Sequence, residues 1–516
     1  MFCHLADLPF TRPAVDVLVV GSGPAGLTLA AVLRSRGAQV VVLESGGLRA
    51  AADELNRTIH SGLHFPGDMA GRARGFGGTG ELWSGQCLPL DDIDFVTRDW
   101  VPGSGWPISV EELEPWLRRA GMRLHLQRAD YREVNVDKLP VALPAFDPKI
   151  LQWRAVHYSP THRLGSRVKQ GLRTDPDIQV VLDATVVQIL AKNGLTSGVI
   201  ARSRGGVQRR LFASVVVLAC GGLENARLLL DSDIEGHGTG TSSGFVGQGF
   251  QDHPYWLVGE VVDGTPLAAQ IFQSIRVDGV RVRPKVRLSD DEQRLRRLLN
   301  CVVDIEVDHG PRSAVGSMKR LYSAVQDQIR PNLGLARDAL SAVSNPGTIA
   351  REFWHRRRGV AAPPDPNTRL LLRVQTEQPP LGPSRVALSD TFDSLGRRRL
   401  DVHWTVGEPE HSTCIAMAEI MKEQFAAADL GRIRIFPWLQ DFPRFQMEAH
   451  DYCHHAGTTR MSHDPSRGVV DENCKVHELD NLYVVGSSVF PSSGYANPTL
   501  TIVALAERLG HYLALS

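Results

Sequence analysis

The chain has 516 residues, enough for two or three domains at about 100–200 residues each. Lysine plus arginine and aspartate plus glutamate are equal at 57 each, which leaves no electrostatic ground for nucleic acid or an anionic membrane surface as partner. No apolar run approaches the roughly 20 residues of a membrane-spanning helix. The first 14 residues hold no apolar signal core, and seven scattered cysteines without a C-x-x-C pair read as reduced thiols, so the expectation is a cytoplasmic protein.

In chain order, the apolar run Val15–Val20 reads as a parallel strand buried on both faces. The glycine turn 21–26 follows, then a helix over 27–36 and a second strand over 39–43, making one βαβ unit. Residues 75–106, rich in glycine and tryptophan, read as an ordered loop region. The stretch 107–124 reads as a helix, with Ser109 as N-cap and Glu112 completing a capping box. The runs 178–182, 185–190, 198–202 and 215–218 suggest a three-stranded meander followed by a return to a buried strand.

From about 256 to 449 the pattern changes to alternating segments, which predicts a mainly antiparallel sheet with one solvated or ligand-facing side. Helices are expected over 323–343 and 408–428, and a loop or lid over 344–367 because of Pro346 and the Pro363-Pro364-Asp365-Pro366 cluster. Nucleotide-type signals resume near 450. The fold class is therefore α/β. Residues 1–90, 165–255 and 450–516 are expected to form a discontinuous Rossmann-like domain, and 91–164 with 256–449 an inserted α+β substrate domain.

The turn Gly21-Ser22-Gly23-Pro24-Ala25-Gly26 lies between strand and helix, with Glu44 and Ser45 at the end of the second strand. Its glycines allow a tight turn and close approach of backbone to a pyrophosphate. The helix N-terminus brings N–H groups and positive potential, and Glu44 can accept from ribose hydroxyls. This reads as a dinucleotide site.

Several blocks, in order along nearly the whole chain, resemble the glucose–methanol–choline (GMC) oxidoreductases. Gly77-Gly78-Thr79-Gly80-Glu81-Leu82-Trp83-Ser84-Gly85 is similar to that family's flavin-embracing loop. The stretch 217–227 (Val-Leu-Ala-Cys-Gly-Gly-Leu-Glu-Asn-Ala-Arg) resembles the strand returning to the flavin, and Gly247-Gln248-Gly249 with Asp252-His253-Pro254 is also family-like. The C-terminal block resembles the bacterial sugar and polyol branch, which includes pyranose oxidase-like enzymes. In it, His454-His455-Ala456-Gly457-Thr458 is followed by Gly486-Ser487-Ser488 and Ala496-Asn497-Pro498-Thr499.

The resemblance implies FAD as cofactor, held by the dinucleotide turn and by Gly78, Thr79, Trp83, Gly85, Val186, Ala219, Gly221, Asn225, Gly486, Ser487, Pro498 and Thr499. Relatives with covalent flavin carry a histidine in or beside the embracing loop. Residues 75–87 hold none, so dissociable FAD is expected. Glu81 stands where many relatives have a neutral residue, which would place a carboxylate near the active site and suit a cationic substrate.

Alcohol oxidation needs a hydride acceptor, which a flavin supplies, and a base that is neutral at working pH. By motif position His454 matches the family's base and Asn497 its partner, a hydrogen-bonding residue for the substrate oxygen. His455 is a further substrate-site candidate, while His253 reads as structural and Cys453 as a spectator. The implied reaction oxidises a CH–OH group of a sugar, glycoside or aminosugar, with oxygen or another acceptor receiving the electrons and no metal taking part. A reductase, a ketosteroid-type dehydrogenase and a non-catalytic flavin binder are the alternatives.

Overall fold

Val15–Val20 lies inside a sheet, flanked in parallel by Val40–Leu43 and by Gln208–Leu218. Ile178–Leu182 and the short edge strand Phe2–His4 extend the parallel array on one side, and Leu482–Val484 on the other. The computed structural model describes residues 1–9, 14–63, 65, 69, 71–126, 139, 142–160, 163–175, 177–232, 243–277, 279–310, 313–326, 333–357 and 368–515.

The segment 178–218 departs from the expected meander. Ile178–Leu182 belongs to the parallel array. The meander is Thr185–Lys192, Leu195–Arg202 and Gln208–Leu218, and its last strand does double duty. Residues 208–212 of that strand pair with the meander, and 213–218 run on beside Val15–Val20. The expected fourth strand is thus the continuation of the third.

The second sheet is antiparallel, in the order Arg432–Ile435, Tyr255–Val262, Arg369–Thr376, Cys301–Asp308, Val280–Leu288, Leu151–Tyr158, Gln86–Cys87. The helix Glu408–Ala427 packs against three of its strands, Arg432–Ile435, Tyr255–Val262 and Arg369–Thr376. The buried Trp256 stacks on Phe445 at 4.3 Å between centroids. Another face of the sheet is charged. Asp304 pairs in register with Arg373 and also approaches Arg283 and Lys285, at 2.6, 3.3 and 3.6 Å respectively. Arg385–Phe392, Arg398–His403 and Ile59–His60 make a small third sheet, so the alternating segments expected within 256–449 do not all join the large one.

Two helices lock the N- and C-terminal segments together. Thr499–Leu513 packs against Pro24–Arg34 on one side and against Val110–Arg123 on the other. Val110–Arg123 starts at the expected capping box, with Ser109 Oγ accepting from Glu112 N and Glu112 Oε2 accepting from Ser109 N. The expected lid over 344–367 is corrected in part, because Pro346–Arg357 is helical. Proline is compatible with a first helical turn, whose N–H would have no intrahelical partner. The proline cluster 363–366 lies outside the described residues, as does the stretch 327–332 of the helix expected over 323–343. Flanking that stretch are Ala314–Gln326 and Leu333–Ser344. Among the described residues, no helix is long and apolar enough to cross a membrane. All seven cysteines are free.

Candidate active site

A cavity of about 440 Å³ runs from the dinucleotide turn to the C-terminal block. One end is built mainly from backbone. Gly21 adopts φ +104°, and a Cβ there would lie 2.5 Å from the Ala219 carbonyl oxygen. A Cβ on Gly26 would lie 2.0 Å from the Gly21 carbonyl oxygen, so Gly26 serves helix–strand packing from behind and does not line the cavity. Ser22, Gly23, Pro24 and Ala25 do line it, with Glu44 and Ser45.

The Glu44 carboxylate is already well occupied. One oxygen accepts from Ser22 N and Ser22 Oγ at 3.2 and 2.5 Å, the other from Gly46 N and Gly75 N at 2.8 and 2.9 Å. These bonds fasten the turn to the embracing loop. A ribose hydroxyl reaching Glu44 would compete most readily with the Ser22 hydroxyl, because that donor rotates while the amides are fixed.

The helices Pro24–Arg34, Gly221–Asp231 and Thr499–Leu513 all begin at this cavity, and none has a side-chain cap. Their first N–H groups and the positive ends of their dipoles are thus free for an anionic ligand. At Gly23, Gly221 and Gly486, all on the cavity wall, a Cβ would meet no atom within 4 Å and would project into the open space. Uncapped helix starts and backbone cradles along one elongated chamber fit the pyrophosphate and ring system of FAD.

Gly78, Thr79, Trp83, Val186, Ala219, Gly221, Ser487, Pro498 and Thr499 also line the cavity. Besides Gly26, three expected contacts do not. Asn225 is buried behind the wall, accepting from Cys220 N at 2.8 Å and donating to Ser488 Oγ at 2.9 Å. Gly85 turns the chain at φ +81°, and its carbonyl accepts from Ser159 N at 2.8 Å. Glu81 is corrected as well. Its carboxylate accepts from Gly165 N, Ser166 N and Ser166 Oγ at 2.7, 3.1 and 2.7 Å. It therefore sits at the start of Leu164–Thr174, where a negative charge suits the helix dipole. With these bonds its carboxylate is directed to the helix start and does not line the cavity.

The other end of the cavity is built from side chains of three distant segments. His454 Nε2 lies 3.5 Å from Asn497 Nδ2, just before the helix Thr499–Leu513. His454 Nδ1 lies 2.8 Å from His253 Nδ1, and Tyr452 leans against the His454 ring at 5.0 Å between centroids. His455 is on the wall too, but its ring packs against Phe65 and Phe250. Its carbonyl accepts from Ser487 Oγ at 2.6 Å.

Burial, then the neighbouring His253, His455 and Lys285, hold His454 well below the ordinary imidazole range. Burial, aided by Lys285 and opposed by the Ser493 backbone, brings His253 to about 3, and burial, aided by Arg72, brings His455 to about 3. The ring facing Asn497 is therefore neutral at physiological pH, as a proton acceptor must be. Burial raises the Cys453 thiol, aided by Asp451 and Asp252, so it stays protonated and inert.

Sequence reasoning underrated His253, whose partner stands 201 positions away. Its signal was the Asp-His-Pro triplet leading into the strand Tyr255–Val262. Asp252, named in the sequence only as part of that triplet, holds the loop as well. Its Oδ1 accepts from the backbone nitrogens of His454, Tyr452 and His253 at 3.0, 3.3 and 2.6 Å.

The comparisons agree with this geometry. Residues 380–506 match the GMC oxidoreductase family and residues 14–51 an FAD-binding domain. The chain is 24% identical to a 2-methyl-1,2-propanediol dehydrogenase of Mycolicibacterium austroafricanum, over 97% of this chain and 95% of the relative. It is 23% identical to a C-glycoside 3-oxidase of Microbacterium trichothecenolyticum, over 97% and 96% of the two chains. A fungal aryl-alcohol oxidase shares its fold at TM-score 0.58 and 14% identity, over 98% of this chain and 99% of that one. With the cavity and its cofactor cradle, these matches identify a GMC oxidoreductase domain over residues 380–506 and an FAD-binding domain over residues 14–51, in an FAD-dependent enzyme of alcohol oxidation.

Proposed function

We propose that the protein oxidises a CH–OH group of a sugar, glycoside or aminosugar to a carbonyl, with His454 as the base. One observation carries this reading: a neutral imidazole nitrogen faces an amide across 3.5 Å, at the cavity end where an uncapped helix begins. Bound in the cradle formed by the turn 21–26 and the starts of the helices at Gly221 and Thr499, FAD would supply the hydride acceptor.

The protein does the rest. His454 Nε2 takes the hydroxyl proton. Asn497, which cannot hold a proton of its own at this pH, orients the substrate oxygen and stabilises the negative charge that grows on it. The uncapped start of Thr499–Leu513 offers N–H groups to an anionic acceptor. In this reading residues 1–90, 165–255 and 450–516 hold the cofactor, while 91–164 and 256–449 shape the substrate side, although Val110–Arg123 packs on the nucleotide layer. FAD is held without a covalent bond, since residues 75–87 offer no histidine.

A hydroxyl-rich substrate is favoured by Tyr452, which lines the cavity beside the His454 ring, at 5.0 Å between centroids, and brings a phenol able to bond hydroxyl groups. The C-glycoside 3-oxidase points in the same direction.

The test is to purify the protein with FAD and follow flavin absorbance without oxygen. The panel is D-glucose, D-fructose, a C-glucoside, paromamine and 2-methyl-1,2-propanediol. Bleaching by a sugar or glycoside is the expected result, and readmitting air then separates an oxidase from a dehydrogenase. Bleaching by NAD(P)H alone would overturn the reading.

A further inference from the structure

His253 carries more than packing. Its Nδ1 faces His454 Nδ1 at 2.8 Å, with the two rings nearly perpendicular at 80°. When two imidazole nitrogens face each other at this distance, one carries the proton and the other accepts it. The bond therefore has two versions. With the proton on His253, neutral His454 must carry its own on Nε2, where it cannot take another from a substrate. With the proton on His454 Nδ1, Nε2 is a free lone pair directed toward Asn497.

The surroundings favour the second version. The Ser493 backbone stabilises a proton on the His253 ring, and with Nδ1 engaged that proton belongs on Nε2. Among the described residues this Nε2 has no partner of full hydrogen-bond geometry, so the Ser493 contact is a loose one. Asn497 presents its amide nitrogen to His454 Nε2, which suits a lone pair there. The charged and titratable groups facing the pair are Lys285 from the antiparallel sheet, Asp252 and Asp451 beside the loop, and His455. Lys285 disfavours a proton on either ring, which keeps both neutral before substrate arrives.

We propose that His253 is a positioning residue: by accepting the Nδ1 proton of His454, it keeps His454 Nε2 free to take the proton of the substrate hydroxyl. This rests on the reading of His454 as the base. When Nε2 gains the substrate proton, Nδ1–H already points at His253, and the same bond becomes charge-assisted without rearrangement. Asp252 does the corresponding work on the backbone, where one carboxylate oxygen holds the nitrogens of Tyr452 and His454. Adjacent residues thus fix both the loop and the ring of the base.

The experiment uses the FAD-loaded protein labelled with 15N-histidine, with the His454 signals identified by their loss in His454→Gln. The expected spectrum shows His454 protonated at Nδ1 and bare at Nε2. His253→Phe should lose that preference, and His253→Asn should keep it, because the amide oxygen occupies nearly the place of Nδ1. In parallel, the fastest-bleaching alcohol of the panel should reduce the flavin about 100-fold more slowly in His253→Phe, with most of the rate regained in His253→Asn. A wild-type His454 protonated at Nε2 overturns the proposal even if His253→Phe does not fold. Unchanged bleaching in His253→Phe, with slow bleaching in His454→Gln, overturns this proposal alone. Unchanged bleaching in His454→Gln overturns the reading beneath it.

Discussion

The two ends of the cavity are made of different material. The dinucleotide end is largely backbone, centred on one βαβ unit in which Cβ atoms on Gly21 and Gly26 would collide at 2.5 Å or less. The alcohol end is side chains drawn from Asp252-His253, from Tyr452 to His455 and from Asn497, which meet only in the folded protein. Backbone sites tolerate no added atom but carry no proton chemistry. Side-chain sites tolerate substitution structurally while losing the chemistry. Mutations at the two ends should therefore fail in different ways.

The largest effect is expected at His454. His454→Gln should retain FAD and slow its anaerobic reduction by about 10²–10⁴-fold, the range for a lost general base. Stopped-flow absorbance checks it, and a colourless variant would erase the proposed difference between the ends. Asn497→Ala should cost about 10²-fold in the same assay, as removal of a single oxyanion donor does, again with the cofactor in place. If reduction is unchanged, Asn497 leaves the mechanism.

Gly26→Ala tests the opposite end. Its Cβ would press on the Gly21 carbonyl at 2.0 Å, with only backbone to give way. The cost should be about 1–3 kcal/mol of stability together with weaker FAD retention. Whatever holoenzyme survives should still turn over normally, and a slower reduction step with full FAD occupancy would break the comparison.

The pH dependence of stability sharpens it further. His253 and His455 lie near 3 in the folded protein against an ordinary value of 6.5. Below 6.5 the unfolded chain takes up protons that the folded chain refuses. The stability present above that pH should drain away as pH falls toward 3. Thermal melts across this window should decline, and replacing His455 with Asn should lessen the slope. The smallest effect is expected at Glu81. Glu81→Gln should cost about 1 kcal/mol through the weakened start of Leu164–Thr174. It should leave the preference between neutral and amine-bearing sugars unchanged, as competition assays would reveal.

Legibility followed the same division. The dinucleotide turn and the Ser109–Glu112 capping box could be read directly because each is local, with partners a few positions apart. His454 and Asn497 were named from a resemblance, and no spacing rule would have brought residues 43 positions apart to one point. The role of Asp252-His253 lay out of reach because it depends on a contact across 201 positions. The directions of Glu81 and Asn225 could not be read because a motif gives position along the chain and not direction. Glu81 turns toward a helix start and Asn225 toward Ser488. Pro346 was misread for a simpler reason: proline ends helices but also begins them.

The most direct test is the pH dependence of anaerobic FAD reduction by the best alcohol of the panel. Burial, with His253, His455 and Lys285, holds His454 well below its ordinary 6.5, so in the proposed mechanism its Nε2 accepts a proton through neutral and mildly acidic pH. The account predicts a rate that stays level as pH falls through 6.5 and a uniformly slow His454→Gln. A rate that collapses through 6.5 would contradict the neutral buried base, and a wild-type rate in His454→Gln would contradict the mechanism itself.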